Sequence, residues 1–302
     1  MSVDEVPEAI LKDFIEASSF RTKGAVITDL DGTAVHEFQG KIVIPKEVEY
    51  ALLHHYRSGR PVVLNSLRFP LSVLRTFGTE WYKLSNAPIP TITLNGSLIG
   101  HITKASNEEL EFKEVAAFPL TTEDIDETLK RVQALIDAGF NNVVLFYYPR
   151  DWRIGEVIWT PSPQNILPLK EKYTSASAVT AVELDKLRNQ LTSEDICMIF
   201  LLIDAPEDQL MAYQHTQRSN FITHAGINKL QGAIKLAQIL NFDLSQSLGA
   251  GDTPMDTFLS GVGLAVIVGG LELDLRGLTN TIRLSSSTEL GLLLYKAYEL
   301  AH

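Results

Sequence analysis

Short, wholly apolar runs alternate with longer amphipathic stretches along this chain. Residues 4–20 place Val6, Ile10, Leu11, Phe14 and Ile15 on one side of a helix, which predicts an amphipathic helix ahead of the main fold. Gly24-Ala25-Val26-Ile27-Thr28 reads as a buried strand. Helical spacing follows over 46–58 and stops at Gly59. Residues 61–64 form a second apolar strand, 69–77 a helix and 92–94 a third strand. Each strand ends on polar or small residues. Strands and helices in that alternation predict an α/β fold with a doubly wound parallel sheet. Ligands of such sheets bind beyond the carboxyl ends of the strands, where Asp29, Asp31, Ser66 and Asn95 fall.

The middle of the chain changes character. Strands are expected over 110–118, 142–148 and 197–203, with 156–159 pairing as a hairpin. Helices are expected over 123–138, 181–190 and 206–217. This α+β pattern, broken at Pro161-Ser162-Pro163 and Ser175-Ala176-Ser177, reads as a domain inserted into the first. The doubly wound pattern resumes with a helix over 229–240, a strand over 246–250, a helix over 255–261, a strand over 263–268 and a closing helix over 288–300.

Composition narrows the function classes. Hydrophobic residues make up 45% and charged residues 21% of 302, the balance of a globular protein. A net charge of -11 and a pI near 5.1 argue against a nucleic-acid partner, because phosphate backbones are bound by clustered Lys and Arg. The single cysteine, Cys197, excludes an internal disulfide and any multi-cysteine zinc site, and its apolar neighbours predict a buried strand. The acidic start Met1-Ser2-Val3-Asp4-Glu5 lacks the features of a signal peptide, and apolar stretches fall short of the roughly 18 residues that cross a membrane. The expectation is a cytoplasmic protein with no membrane association.

The candidate chemistry begins at Thr28-Asp29-Leu30-Asp31-Gly32-Thr33. Two carboxylates at i and i+2 past a buried strand point the same way and repel unless a cation sits beside them. A hard cation such as Mg²⁺ suits their oxygens. One carboxylate can then attack phosphorus while the other protonates a leaving oxygen. Gly32 permits the tight turn and Thr33 offers a hydroxyl to steady the aspartates. The plainer alternative is an exposed Asp-Gly turn whose carboxylates merely cap. Ser66 and Arg68 suit phosphate oxygens, although taken alone they read more readily as a helix cap with Arg in its first turn. Lys229 opens a helix, where the macrodipole disfavours a cation, so it either has an anionic neighbour or lies on the surface. Gly251-Asp252-Thr253-Pro254-Met255-Asp256 is a second acidic turn after an apolar strand, open to metal binding or to ordinary capping.

The order DxDGT, strand-end Ser, helix-start Lys, then GDxxxD resembles the haloacid dehalogenase superfamily of phosphohydrolases. An insert between the Ser and Lys elements resembles the subgroup with a large α/β cap, the Cof-type and sucrose-phosphatase-like enzymes. Asn95-Gly96 and the stretch 221–229 are similar to that subgroup too. The resemblance spans Asp29 to Asp256. It implies a Rossmann-like core over 21–97 and 220–302, a cap over 98–219 and an N-terminal helical extension over 1–20. By position it implies Asp29 as nucleophile and metal ligand, and Asp31 as general acid and base with its backbone carbonyl on the metal. Ser66 and Lys229 would bind the phosphoryl group, with Leu67 and Arg68 beside it, and Asp252 would complete the Mg²⁺ ligands. Thr33, Asn95 and Asp256 would support them.

Two departures stand out. Leu67 replaces the usual Gly between Ser and Arg, and Met255 replaces the usual Asn before the last Asp. They motivate the rival expectation of a catalytically weak protein that binds a phosphorylated ligand. A phosphomutase-like transferase would use the same residues. In the family the cap reads the leaving group, which singles out Tyr148, Arg150, Trp152 and Arg153. Aromatic faces stack on sugars and Arg binds hydroxyls or anions, although an ordinary hairpin interior would look similar. The expected partner is a small phosphorylated metabolite, a sugar phosphate by preference, and the expected assembly is a monomer or homodimer.

Overall fold

The computed structural model describes residues 5–38, 41–140, 142–203, 219–270 and 280–302. The helix expected over 206–217 lies outside them. The chain divides into two compact units. One comprises Met1–Arg68, Ser72–Val115 and Asn228–His302, and the other Phe69–Leu71 with Ala116–Ile227.

The first unit is built on an eight-stranded sheet in the order Thr281–Leu284, Leu264–Val268, Leu248–Gly251, Val26–Thr28, Val62–Asn65, Ile89–Thr93, Leu98–Lys104 and Leu110–Ala117. The first six strands are parallel, and Ile27 lies opposite both Gly249 and Val63. These strands read as continuous apolar runs because both faces of the sheet are covered: Val26, Ile27, Val63, Leu64, Val266 and Ile267 are all buried. Val26–Thr28 sits between strands reached in opposite directions along the chain, so the crevice at its carboxyl end is where a ligand belongs.

The insert is expected over 98–219, and the second compact unit takes in Ala116–Ile227. Leu98–Lys104 turns back antiparallel onto Ile89–Thr93 and extends the first sheet, with Leu110–Ala117 outside it. Ser219–Ile222 pairs antiparallel with Ile196–Ile203 and belongs to the second sheet. The Glu5–Ala17 helix packs on the Ser287–Ala301 helix and the Thr281–Leu284 strand, burying Leu11, Phe14 and Ile15.

The second unit has a five-stranded sheet in the order Ala178–Thr180, Val157–Trp159, Val143–Pro149, Ile196–Ile203 and Ser219–Ile222. The expected hairpin is present, with Phe146 opposite Ile158. Helices Thr122–Asp137 and Leu184–Ser193 close one apolar core around Val132, Leu145, Trp159, Leu187 and Ile199. Thr121 and Asp124 start the first of these helices with a reciprocal capping box. Cys197 is buried in its strand.

Helices Lys46–Arg57 and Ser287–Ala301 of the first unit touch at Gly291, where any Cβ would come within 2.5 Å of the Glu47 backbone. His55, which looks incidental in the sequence, locks this pair. Its Nε2 lies 2.8 Å from the Leu294 carbonyl, and its Nδ1 lies 2.7 Å from the Arg60 guanidinium. Arg60 can only donate, so Nδ1 accepts and Nε2–H donates, which is the neutral ring. Burial, reinforced by Arg60, pushes its pKa down to about 3. Below the ordinary value of 6.5 the unfolded chain takes up a proton that the folded ring refuses. Stability is therefore expected to fall as pH drops from 6.5 toward about 3. The full loss from this group is on the order of 5 kcal/mol. Urea midpoints measured across that range should slope more steeply for the wild type than for His55→Gln.

Candidate active site

The loops after Val26–Thr28, Val62–Asn65 and Leu248–Gly251 bring Asp29, Asp31, Ser66 and Asp252 to one edge of the first sheet. The Lys229–Leu240 helix starts there as well. Asp29 is 3% exposed and Lys229 2% exposed. The Lys229 ammonium lies 2.6 Å from Asp29 Oδ1 and 2.7 Å from Asp256 Oδ1. Two anionic neighbours account for a cation at a helix N-terminus, where the macrodipole alone would repel it.

Asp256 is held on its other side. Its Oδ2 accepts the backbone N–H groups of Asp252 at 2.9 Å and Thr253 at 3.0 Å, fixing the second acidic turn. The Thr33 hydroxyl donates to Asp252 Oδ1 at 3.3 Å, tying the two acidic turns together. Gly32 takes φ +76°, and a Cβ there would fall 2.2 Å from Asp252 Oδ2. Glycine is thus required twice at this position, for the left-handed backbone and for the close approach.

Crowding of carboxylates dominates the electrostatics. Burial drives the Asp29 carboxyl well above the carboxylate range. Lys229 pulls it back, and Asp256, Asp252 and Asp31 push it further up. Asp252 is raised to about 7 by burial and by Asp256, against Lys229 and the Thr33 hydroxyl. Burial opposes the charge on Lys229, but Asp256 and Asp29 outweigh it and hold the ammonium protonated.

Carboxylate oxygens of Asp29, Asp252 and Asp256 lie within 4.8 Å of one another. Lys229 and the backbone N–H groups already engage both oxygens of Asp256. The oxygens left to face an ion belong to Asp29 and Asp252. An all-oxygen donor set carrying more negative charge than one lysine neutralises fits a hard divalent cation. Each proton that crowding retains on this pair is one such a cation would displace.

Ser66 is buried, and its Oγ accepts the Arg68 N–H at 3.1 Å. Leu67 is buried too, while Met255 is partly exposed. Arg68, expected beside the phosphoryl group, forks onto Asp31. Its Nε and Nη2 each lie 2.6 Å from an Asp31 oxygen, and its Nη1 donates to Ser72 at 2.8 Å. A planar guanidinium matches a carboxylate in two parallel bonds, which holds the Asp31 side chain in place. Asn95 stands in a run of left-handed residues, Leu94, Asn95 and Gly96 at φ 51°, 55° and 97°. Asn and Gly accept that backbone readily, whereas Leu94 is held there at a cost of about 1 kcal/mol.

The specificity candidates lie in the second unit. Tyr148 is buried and donates to Glu156 at 2.7 Å, so its hydroxyl has an internal acceptor. Arg150 pairs with Asp195 at 3.0 Å, and the Arg153 guanidinium lies 4.8 Å from the Trp152 ring centroid. Trp159 is a core side chain that donates to the Val182 carbonyl. Sequence reasoning overlooked Glu156, a buried carboxyl preceding the Val157–Trp159 strand. Its burial pushes its pKa up against the Tyr148 hydrogen bond.

The sequence matches the family model described as haloacid dehalogenase-like hydrolase over residues 26–270. No curated protein matches it. Among solved structures it is similar to a haloacid dehalogenase subclass IIB sugar phosphatase, at 15% identity and TM-score 0.62, covering 89% of this chain and 96% of that one. It is also similar to a phosphatase of the superfamily from Bacteroides thetaiotaomicron, at 14% identity and TM-score 0.64, covering 93% and 97%. A haloacid dehalogenase-like hydrolase from B. subtilis matches at 18% identity and TM-score 0.59, covering 90% and 98%. At these identities the likeness is one of fold. Among the described residues no helix is long and apolar enough to cross a membrane.

Proposed function

The chain belongs to the haloacid dehalogenase-like hydrolases, and from that premise we propose that it hydrolyses a small phosphomonoester, with sugar phosphates as the favoured class. The observation that carries this reading is the buried Asp29–Lys229–Asp256 triad beside Asp252, assembled from residues up to 227 positions apart at one sheet edge.

Asp29 is the nucleophile. One of its oxygens bonds to phosphorus as the ester oxygen leaves, giving an aspartyl phosphate. Asp31 donates a proton to the departing oxygen, then takes one from the water that attacks phosphorus and regenerates Asp29. Lys229 and the Ser66 hydroxyl bind the non-bridging phosphoryl oxygens. Asp29 and Asp252 would hold Mg²⁺ through their carboxylates, with the Asp31 backbone carbonyl beside them. When bound there it would offset the charge shared by phosphate and carboxylates. Asp256 orients Lys229 and the Asp252 turn, and Thr33 steadies Asp252. Arg150, Trp152 and Arg153, with Tyr148 beside Glu156, are the candidates for choosing the leaving group. A small phosphorylated metabolite is the proposed partner.

The test is phosphate release from a panel of sugar phosphates and an aryl phosphate, with Mg²⁺ or with EDTA. Release that requires Mg²⁺ supports the reading. Its absence from folded, Mg²⁺-supplied protein across a broad panel sinks it.

The Arg68 fork makes a further prediction. Holding Asp31 in one rotamer matters most where the leaving oxygen needs a proton. Arg68→Met should lower kcat on a sugar phosphate by about 10- to 100-fold, within the range that general acid catalysis contributes. With nitrophenyl phosphate, whose leaving group departs as a stable anion, the loss should be much smaller. Equal losses on both substrates would remove Arg68 from the proton-transfer step.

A further inference from the structure

The Val62–Asn65 strand is apolar until its last residue, yet Asn65 is as fully buried as the valines before it. Its Nδ2 donates to the Lys229 backbone carbonyl at 3.0 Å, while its Oδ1 has no partner. A carbonyl only accepts, so the amide nitrogen must face Lys229 and the orphaned oxygen follows from that. A buried acceptor left unpaired is destabilising, and a leucine of the same shape would remove the defect. Asparagine here therefore serves something other than stability.

We propose that Asn65 is a positioning residue for Lys229, fixing the first turn of the Lys229–Leu240 helix so that its ammonium meets Asp29. The inference rests on Lys229 being the phosphoryl-binding cation of the reaction above. The other restraints on this turn act on its neighbours. Asn228 Oδ1 accepts the Leu230 and Gln231 N–H groups at 2.9 and 3.1 Å, and the Thr257 hydroxyl accepts Leu230 N–H at 3.1 Å. Gly96 packs so tightly that a Cβ would fall 2.2 Å from the Asn228 carbonyl. Asn65 is the one among these groups that bonds to the Lys229 carbonyl itself. The helix dipole pushes an N-terminal ammonium outward, and the Asn65 bond opposes that displacement.

Asn65→Leu keeps the volume and removes the donor. We expect an unchanged or higher Tm, a kcat on aryl phosphate lower by about 10- to 100-fold, the scale set by small misplacements of catalytic groups, and a KM within about twofold. In a Lys229→Met background the same substitution should cost no further turnover, because Asn65 acts through Lys229. A second readout needs no turnover. Acetic anhydride labelling followed by peptide mass spectrometry should find Lys229 protected in the wild type and labelled severalfold faster in Asn65→Leu, with Lys235 and Lys296 unchanged. An unaltered kcat with unaltered Lys229 labelling, or a loss that persists in the Lys229→Met background, overturns the proposal. If the wild type releases no phosphate from any ester, the hydrolase reading fails by itself, and the labelling result alone decides whether Asn65 positions Lys229.

Discussion

Asp29→Asn is expected to abolish phosphate release, with kcat lower by at least about 10⁴-fold, as when an enzyme's nucleophile is removed. The amide has the volume of the carboxylate and can still contact Lys229 across the 2.6 Å gap, so fold and phosphate binding should survive. What it lacks is an anionic oxygen able to bond to phosphorus. Asp29 also carries a stability penalty, since burial and three neighbouring carboxylates hold its pKa up. Neutralising it relieves that repulsion, so the variant's Tm in the absence of Mg²⁺ should equal or exceed the wild type's. Loss of turnover together with a gain in stability separates a chemical role from a structural one. Circular-dichroism melting and phosphate-release assays on the same preparations check both halves.

Lys229→Met should have the second largest effect, with the opposite sign on stability. Methionine leaves the Asp29 and Asp256 carboxylates buried without their shared cation. Removing one partner of a buried ion pair costs about 3–5 kcal/mol. Without Lys229 to pull it back, the Asp29 carboxyl holds a proton in the folded state that it releases when unfolded, so stability falls as pH rises. The deficit against the wild type should be smaller near pH 5 than near pH 8, because acid neutralises the stranded Asp29 carboxylate. Mg²⁺ should narrow the deficit by binding the folded state. Turnover should fall by about 10²- to 10³-fold, the scale for losing one electrostatic contact to the transferring group. Urea denaturation at the two pH values, with and without Mg²⁺, measures the stability effects directly.

The parallel core was legible because its strands are short, apolar and end on the residues that matter. DxDGT, Lys229 and the GDxxxD turn each carry their chemistry within a few positions, and a strand end tells where they point. Pattern alone could not place Leu98–Lys104. A half-apolar strand looks the same whichever sheet it joins, and only its antiparallel return onto Ile89–Thr93 decides the matter. The same holds for Ser219–Ile222. The Arg68 fork was not legible because a local window cannot show Asp31, a bidentate partner 37 residues upstream. Asn65 gave a weak signal, a polar residue closing an apolar strand, but its target lies 164 residues away. His55 gave none, since its hydrogen bonds reach Arg60 and a helix at the far end of the chain. Tyr148 read as a recognition group because aromatic residues in a hairpin face either way, and the structure turns it inward.

The central claim is that a phosphoryl group resides on Asp29 during turnover. Quenching the reacting enzyme with borohydride and sequencing the peptide that spans Val26–Thr33 by mass spectrometry tests it most directly, since hydride reduces an acyl phosphate to an alcohol and leaves a free carboxylate intact. Substrate- and Mg²⁺-dependent conversion of Asp29 to homoserine is expected, with Asp31 unmodified. Phosphate release that proceeds with Asp29 unconverted, or with the reduction found at another carboxylate, would contradict it.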